Sequence, residues 1–262
     1  MSTKENKKNE RLGLTGYNKQ GCLMKIIEYN CSTDIIVEFQ DEYKAHVHTR
    51  FDHFQEKAVR NPYYPSVYGI GIIGDNGYNT NNSYEYQTWH DIFRRCYDPK
   101  YHTNKPSYIS CEVCENWRFY KNFYEWIISQ SNYYCLKDAN DCRVDKDILI
   151  KGNKIYSPDT CCLVPGVVNS LFVKADRNRG AYPIGVSKIH KDSDLFQARC
   201  NNPFSRETIS IGIYNTPEDA FYAYKNYKEN IIKQVAINEY KKGTITKQCY
   251  DAMMTYEVEI TD

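Results

Sequence analysis

Residues 183–236 carry the pattern that most restricts what this chain can fold into. Three runs, Pro183-Ile184-Gly185-Val186-Ser187-Lys188, Leu195-Phe196-Gln197-Ala198-Arg199-Cys200 and Thr208-Ile209-Ser210-Ile211-Gly212-Ile213-Tyr214, each read as a strand from their alternation. Thr216-Pro217-Glu218-Asp219 then supplies a helix start. The threonine caps, proline takes the first helical position, and the two acids sit where the helix dipole favours negative charge. Ala220, Tyr224, Tyr227, Ile231 and Val235 continue as an apolar stripe. The pattern predicts a three-stranded antiparallel sheet whose back face is closed by one long helix.

Charge adds a second constraint. The whole chain carries a formal net charge of only +1, which gives no global argument for nucleic acid. Locally the balance differs. Residues 174–206 hold Lys174, Arg177, Arg179, Lys188, Lys191, Arg199 and Arg206 against Asp176, Asp192 and Asp194. A basic sheet face fits phosphate binding, and it equally fits a solvated surface with no ligand.

A second organised stretch is VDKDILIKGNKIYSPDTCCLVPGVVN, residues 144–169. Three charges, Asp145-Lys146-Asp147, precede an apolar Ile-Leu-Ile. Gly152-Asn153 marks a turn and Ser157-Pro158-Asp159 predicts a helix start, with Asn169 near the end of the following turns. Strand, turn, strand and helix, with an acid at one end and an amide at the other, is the layout of a ββα metal site.

On these residues the stretch resembles the His-Asn-His (HNH) endonucleases, in particular the homing-endonuclease branch found in phages. The resemblance implies that Asp145 and Asn169 are ligands of one Mg²⁺ held against the scissile phosphate. It places Lys146 at the general-base histidine and Thr160 at the residue that orients that base. A lysine carries its proton at neutral pH and cannot accept one from water. It is left the role of stabilising charge on the phosphate, with His90 or His102 as stand-in base. The aromatic segment around Trp89, Arg95-Cys96-Tyr97, Tyr108, Val113-Cys114, Trp117, Phe123 and Trp126 looks like the helical part that precedes the ββα site in such proteins. A ββα unit of ~25 residues is too small to bury a core alone, and these helices are expected to complete it.

The stretch GV…F.A…IGIYNTPEDAFYAY, within residues 180–236, resembles the plant ethylene-response-factor type of DNA-binding domain, which also occurs behind HNH units in phage homing endonucleases. The resemblance implies that the exposed sheet face enters the major groove of duplex DNA. Lys188, Arg199 and Arg206 are the nearest equivalents of the contacting side chains, with Ser187, Gln197 and Ser210 as polar partners.

Elsewhere the chain is read in shorter pieces. Residues 1–12, charged and without an apolar segment after them, are expected to form a disordered tail and no secretory signal. Residues 13–62 predict a small β domain: Leu23–Tyr29, Ile35–Phe39 and a third strand through Ala45-His46-Val47. His46, His48 and His53 read as surface residues ahead of a metal cluster. Gly69 to Asn82 is loop or hairpin; GIGIIGDNG lacks the Gly-Lys-Ser/Thr and βαβ setting of a phosphate cradle. Tyr86–Tyr97 and Asn116–Ser129 are amphipathic helices built on Trp89, Phe93, Cys96 and Tyr97, and on Trp117, Tyr120, Phe123 and Ile127.

The 25 tyrosines and 10 phenylalanines suit compact cores and base stacking alike. No apolar run approaches the ~18 residues of a membrane span. Eleven cysteines without a signal peptide are expected to be intracellular thiols, Cys22, Cys31 and Cys200 among them as small core residues. Cys111-Glu112-Val113-Cys114 has zinc-knuckle spacing without a second pair, so structural thiols are expected ahead of zinc.

The reading is an α+β chain: tail 1–12, β domain 13–62, HNH-like domain 63–173, and a sheet-plus-helix DNA-binding domain 174–262. Two functions remain open. One is a Mg²⁺-dependent phage-type endonuclease acting on double-stranded DNA inside the phage-infected or bacterial cell. The other is a catalytically inactive DNA-binding regulator or accessory factor.

Overall fold

The computed structural model describes residues 3–75, 77–173 and 181–261. Its architecture is α+β, in two compact units, Met1–Glu125 and Trp126–Asp262. Lys174, Asp176, Arg177 and Arg179, four of the ten charges in the basic stretch, lie outside the described residues.

In the first unit, β1 (Thr15–Tyr17), β2 (Leu23–Cys31), β3 (Asp34–Phe39) and β4 (His46–Thr49) form one antiparallel sheet in chain order. Alternation drives it: Met24, Ile26, Ile35, Val37 and Phe39 are fully buried on one face. Helix α2 (Phe51–Gln55) brings Phe51 and Phe54 onto that face. Residues Thr3–Arg11, expected as a tail, form helix α1. The reason lies at its end. The Arg11 guanidinium is 3.8 Å from the Phe51 ring centroid and donates to the Tyr29 hydroxyl at 2.8 Å. His46 and His48 pair with Glu38 and Asp34 across the sheet.

The remaining elements of this unit are α3 (Tyr84–Tyr97), α4 (Pro99–Asn104), β5 (Glu112–Val113) and α5 (Tyr120–Ser129), within which the two units divide. The Ser83 side chain caps α3 by accepting from the Tyr86 N–H. Trp89, Phe93, Trp117, Tyr120 and Phe123 have no exposed surface, and the Trp89 indole N–H donates to the Trp117 carbonyl at 2.8 Å. Trp117 precedes α5, in a short 3₁₀ turn.

The second unit continues through α6 (Tyr133–Asp138), β6 (Arg143–Asp145), β7 (Ile155–Tyr156), β8 (Cys162–Val164) and α7 (Gly166–Leu171). After these come β9 (Val186–Lys188), β10 (Phe196–Asn202), β11 (Glu207–Tyr214), α8 (Pro217–Lys241) and α9 (Lys247–Met254). Strands β9, β10 and β11 form the antiparallel sheet expected from their alternation. The Thr216 side chain caps α8, accepting from the Asp219 N–H at 3.1 Å. Ala198 and Cys200 of the sheet share a core with Ala220, Phe221, Tyr224, Ile231, Ile232 and Val235 of α8. Gly185 is required here. Its φ is +76°, and a Cβ would fall 2.1 Å from the Tyr224 ring.

The strand, strand, helix order over 143–171 is present, as the antiparallel pair β6 and β8 followed by α7. Its helix begins later than Ser157-Pro158-Asp159. Those residues make a turn in which the Ser157 hydroxyl accepts from the Thr160 N–H, and α7 starts only after Pro165. The core of this piece is supplied within its own unit: Cys162, Val164, Val168 and Leu171 lie in one cluster with residues of α8 and α9. Asn132, buried, donates to the carbonyls of Leu163 and Thr244 at 2.9 and 2.8 Å and ties β8 to the α8–α9 turn. Residues 256–260, with a strand-like pattern, run as coil. They are held instead by α8, where Lys225 donates to the Val258 carbonyl and Glu229 accepts from the Val258 N–H.

Candidate nucleic-acid interface

Register decides which side chains share the open face of the sheet. Gln197 stands between Ser187 on β9 and Ile213 on β11, Arg199 opposite Ser210, and Asn201 opposite Thr208. The opposite face, carrying Ala198 and Cys200, is the one against α8. The open face is therefore an array of hydroxyls and amides, with the exposed Ile213 among them, around one exposed guanidinium. Gln197 donates to the Ser210 hydroxyl at 2.9 Å, and Thr208 donates to the Asn201 side-chain oxygen at 2.6 Å. Such cross-strand bonds hold donors and acceptors at set spacings along the pleat.

Lys188 lies in the other row, level with Phe196 and Tyr214. Arg206 is exposed in the β10–β11 turn with φ +60°. Both still reach a common space. Lys188, Arg199 and Arg206 line one groove of about 880 Å³, together with Lys228 of α8 and Ser170 and Leu171 of α7. Three of the four sequence-read DNA contacts thus converge, and Gln197 sits on the adjoining face. Lys228 was missed by sequence reasoning. It falls on a helix read only for its apolar stripe, and no spacing rule marks a lysine as lying beside a sheet edge.

The residues assigned to the HNH-like site sit in a different setting. Asp145 Oδ1 accepts from the N–H groups of Asp147 and Ile148 at 2.7 and 2.9 Å. Burial lifts its carboxyl above the ordinary value, against the pull of those two donors. Lys146 is buried, and its Nζ donates to Asp147 Oδ2 at 2.7 Å and to the Asn153 carbonyl at 2.8 Å. Asn153, read from sequence only as a turn residue, is the hub of this loop. Its amide donates back to the Lys146 and Ile155 carbonyls, and its oxygen accepts from the Ile155 N–H. Thr160 Oγ1 donates to the Ile155 carbonyl at 2.7 Å. Asn169 is partly buried on α7, and no hydrogen bond joins its side chain to Asp145, Lys146 or Thr160.

The thiols near this loop are buried. Burial pushes Cys161 up to about 12, while a hydrogen bond with Cys249 and burial push Cys162 well above the ordinary thiol value. Cys111 is buried, its thiol directed at the Ser107 carbonyl at 3.9 Å. Among the described residues, no group of three or more His, Cys, Asp and Glu side chains clusters as metal ligands. No helix among them is long and apolar enough to cross a membrane. Comparison with protein-family models, curated proteins and solved structures gives no match.

Proposed function

We propose that this chain binds double-stranded DNA through the sheet of its second unit. The observation that carries the reading is the convergence of Lys188, Arg199 and Arg206 on one groove, next to a face of hydrogen-bonding side chains that α8 leaves open. Cations neutralise phosphates and supply affinity; the amides and hydroxyls of Gln197, Asn201, Thr208 and Ser210 are the groups that read base edges. The face carries one guanidinium and no tryptophan, so the reading favours modest sequence preference over strong.

In this reading the ββα hairpin braces the module and does not hydrolyse phosphodiesters. The groups present do not fit a hydrolytic Mg²⁺ site. The Asp145 carboxyl already holds two backbone donors in a turn, an ammonium neutralises Asp147, and Asn169 makes no bond toward either. Mg²⁺ asks for oxygen ligands with waters in near-octahedral geometry, and a buried ammonium at the base position opposes it. The function is that of a DNA-binding regulator or accessory factor built on an HNH-like scaffold.

The test is fluorescence anisotropy with a labelled random-sequence duplex across a salt titration. Binding with a steep linear dependence of log affinity on log salt is expected, and Arg199→Ala should lower that slope by about 1. Absence of salt-sensitive binding at low ionic strength overturns the reading. Mg²⁺- or Mn²⁺-dependent nicking of supercoiled plasmid that Asp145→Ala abolishes would restore the endonuclease reading.

A further inference from the structure

We propose that the groove beside the sheet is a phosphate seat, in which Lys228 and Arg206 hold a backbone phosphodiester of the duplex lying on the sheet face. The inference rests on the DNA reading above and adds to it a ligand group and a residue on α8.

Among the described residues, the groove is lined by four cations, Lys188, Arg199, Arg206 and Lys228, and by no aspartate or glutamate. Among the described residues none of these four side chains has an ion-pair or hydrogen-bond partner, although elsewhere in the unit lysines are paired, as in Lys225–Glu229 and Lys247–Asp251. Lys228 is the most telling. Its ammonium is half-buried, and burial pulls it below the ordinary lysine value. Among the described residues the Cys200 thiol is the group that acts on it electrostatically, and burial keeps that thiol protonated, so it offers no compensating charge. A partly desolvated cation without a counter-charge gains more from an arriving anion than an exposed one does, because its Coulomb attraction acts through less water.

Phosphodiester chemistry suits the shape. The groove is open and far larger than one ion needs, so it accepts a length of chain. Its wall includes Leu171, Val186 and Tyr224, apolar surface against which a deoxyribose can lie. Arg199 belongs both to the groove and to the open face, so a strand on that face continues into the groove without a break. Guanidinium groups present a planar fork that matches phosphate oxygens, and ammonium groups add point charge.

The experiment is the same anisotropy salt titration on Lys228→Gln, Arg206→Asn and the double variant. Asparagine tolerates the positive φ of position 206, and circular dichroism melts confirm folding. Each single change should lower the salt slope by about 1 and the double by about 2, and Lys228→Arg should restore the lysine's share. Wild-type affinity should also fall at alkaline pH, as Lys228 loses its proton, and in Lys228→Arg this loss should begin at higher pH. A double variant that folds and keeps the full wild-type slope overturns the phosphate seat alone. A wild-type chain that binds no duplex overturns both readings.

Discussion

The loop around Asp145 and the groove around Lys228 lie in the same unit, and both are built on lysines held out of full contact with water. They differ in whether the chain answers the charge itself. Lys146 has an aspartate and a carbonyl within hydrogen-bonding distance, and the amide of Asn153 closes the loop around it. Lys228 has a protonated thiol beside it, and the groove it lines carries three further cations and no acid among the described residues. A buried charge with its partners in place is a structural device, whereas one left without them is poised for a ligand. On the proposed reading the conspicuous charged motif is scaffold, and the unremarked lysine on a long helix belongs to the proposed DNA interface.

The salt dependence of DNA binding distinguishes the two regions most strongly. Replacing Lys188, Arg199 and Arg206 together by Gln, Ala and Asn should lower the slope of log affinity against log salt by about 3, the largest change expected. The same measurement on Lys146→Ala should show the wild-type slope. A drop there would mean that the loop, too, meets phosphate.

Stability sharpens the other side. Lys146→Ala removes the donor to the Asn153 carbonyl and leaves that acceptor partly buried, so unfolding free energy should fall by about 1–3 kcal/mol in a denaturant titration. Lys228→Ala loses no hydrogen bond and should be nearly neutral or slightly stabilising. Equal losses in the two variants would erase the distinction.

Asp145 separates scaffold from catalyst by a smaller effect. Its native carboxyl titrates above its unfolded value of about 3.9, so between those two values the native state holds a proton that the unfolded chain has released. Its contribution to stability is therefore complete below the unfolded value and declines as pH rises through the native one. Asp145→Asn keeps an oxygen for the Asp147 and Ile148 N–H groups and removes that decline. It is expected to match or exceed wild-type stability at neutral pH, while Asp145→Ala loses the turn. Asp145→Asn markedly less stable than wild type at neutral pH would show that the negative charge itself is needed.

The smallest effect is a matter of exposure. Thiol alkylation of the native protein should label Cys135, which is exposed, and spare Cys161, Cys162 and Cys249 until the chain unfolds. Mass spectrometry of early time points checks this. Early labelling of Cys162 would mean that the core joining β8 to α9 opens readily.

Much of the fold was legible because it rests on short-range rules. Three strands of the first sheet and all three of the second follow from alternation, while the short β1 does not, and α8 follows from a threonine, a proline and two acids at its start. Helix α1 was not legible, because what holds it, Arg11 against Phe51 and Tyr29, is 18 residues or more away in the chain. Asp145, Lys146, Thr160 and Asn169 could be picked out as a motif, yet pattern alone does not say that Asn153 turns inward to engage the backbone of that loop. Lys188 could be picked out by charge, but not the row it occupies, which the register of β9 on β10 sets.

Periodicity and end signals, written in neighbouring residues, therefore determined by themselves that this protein has an N-terminal meander and a C-terminal sheet with a long helix behind it. Only the tertiary structure decided which charges are answered and which are left open. A charge's partners are chosen by proximity in space, and Lys228 is brought beside Cys200 only when α8 packs on the sheet.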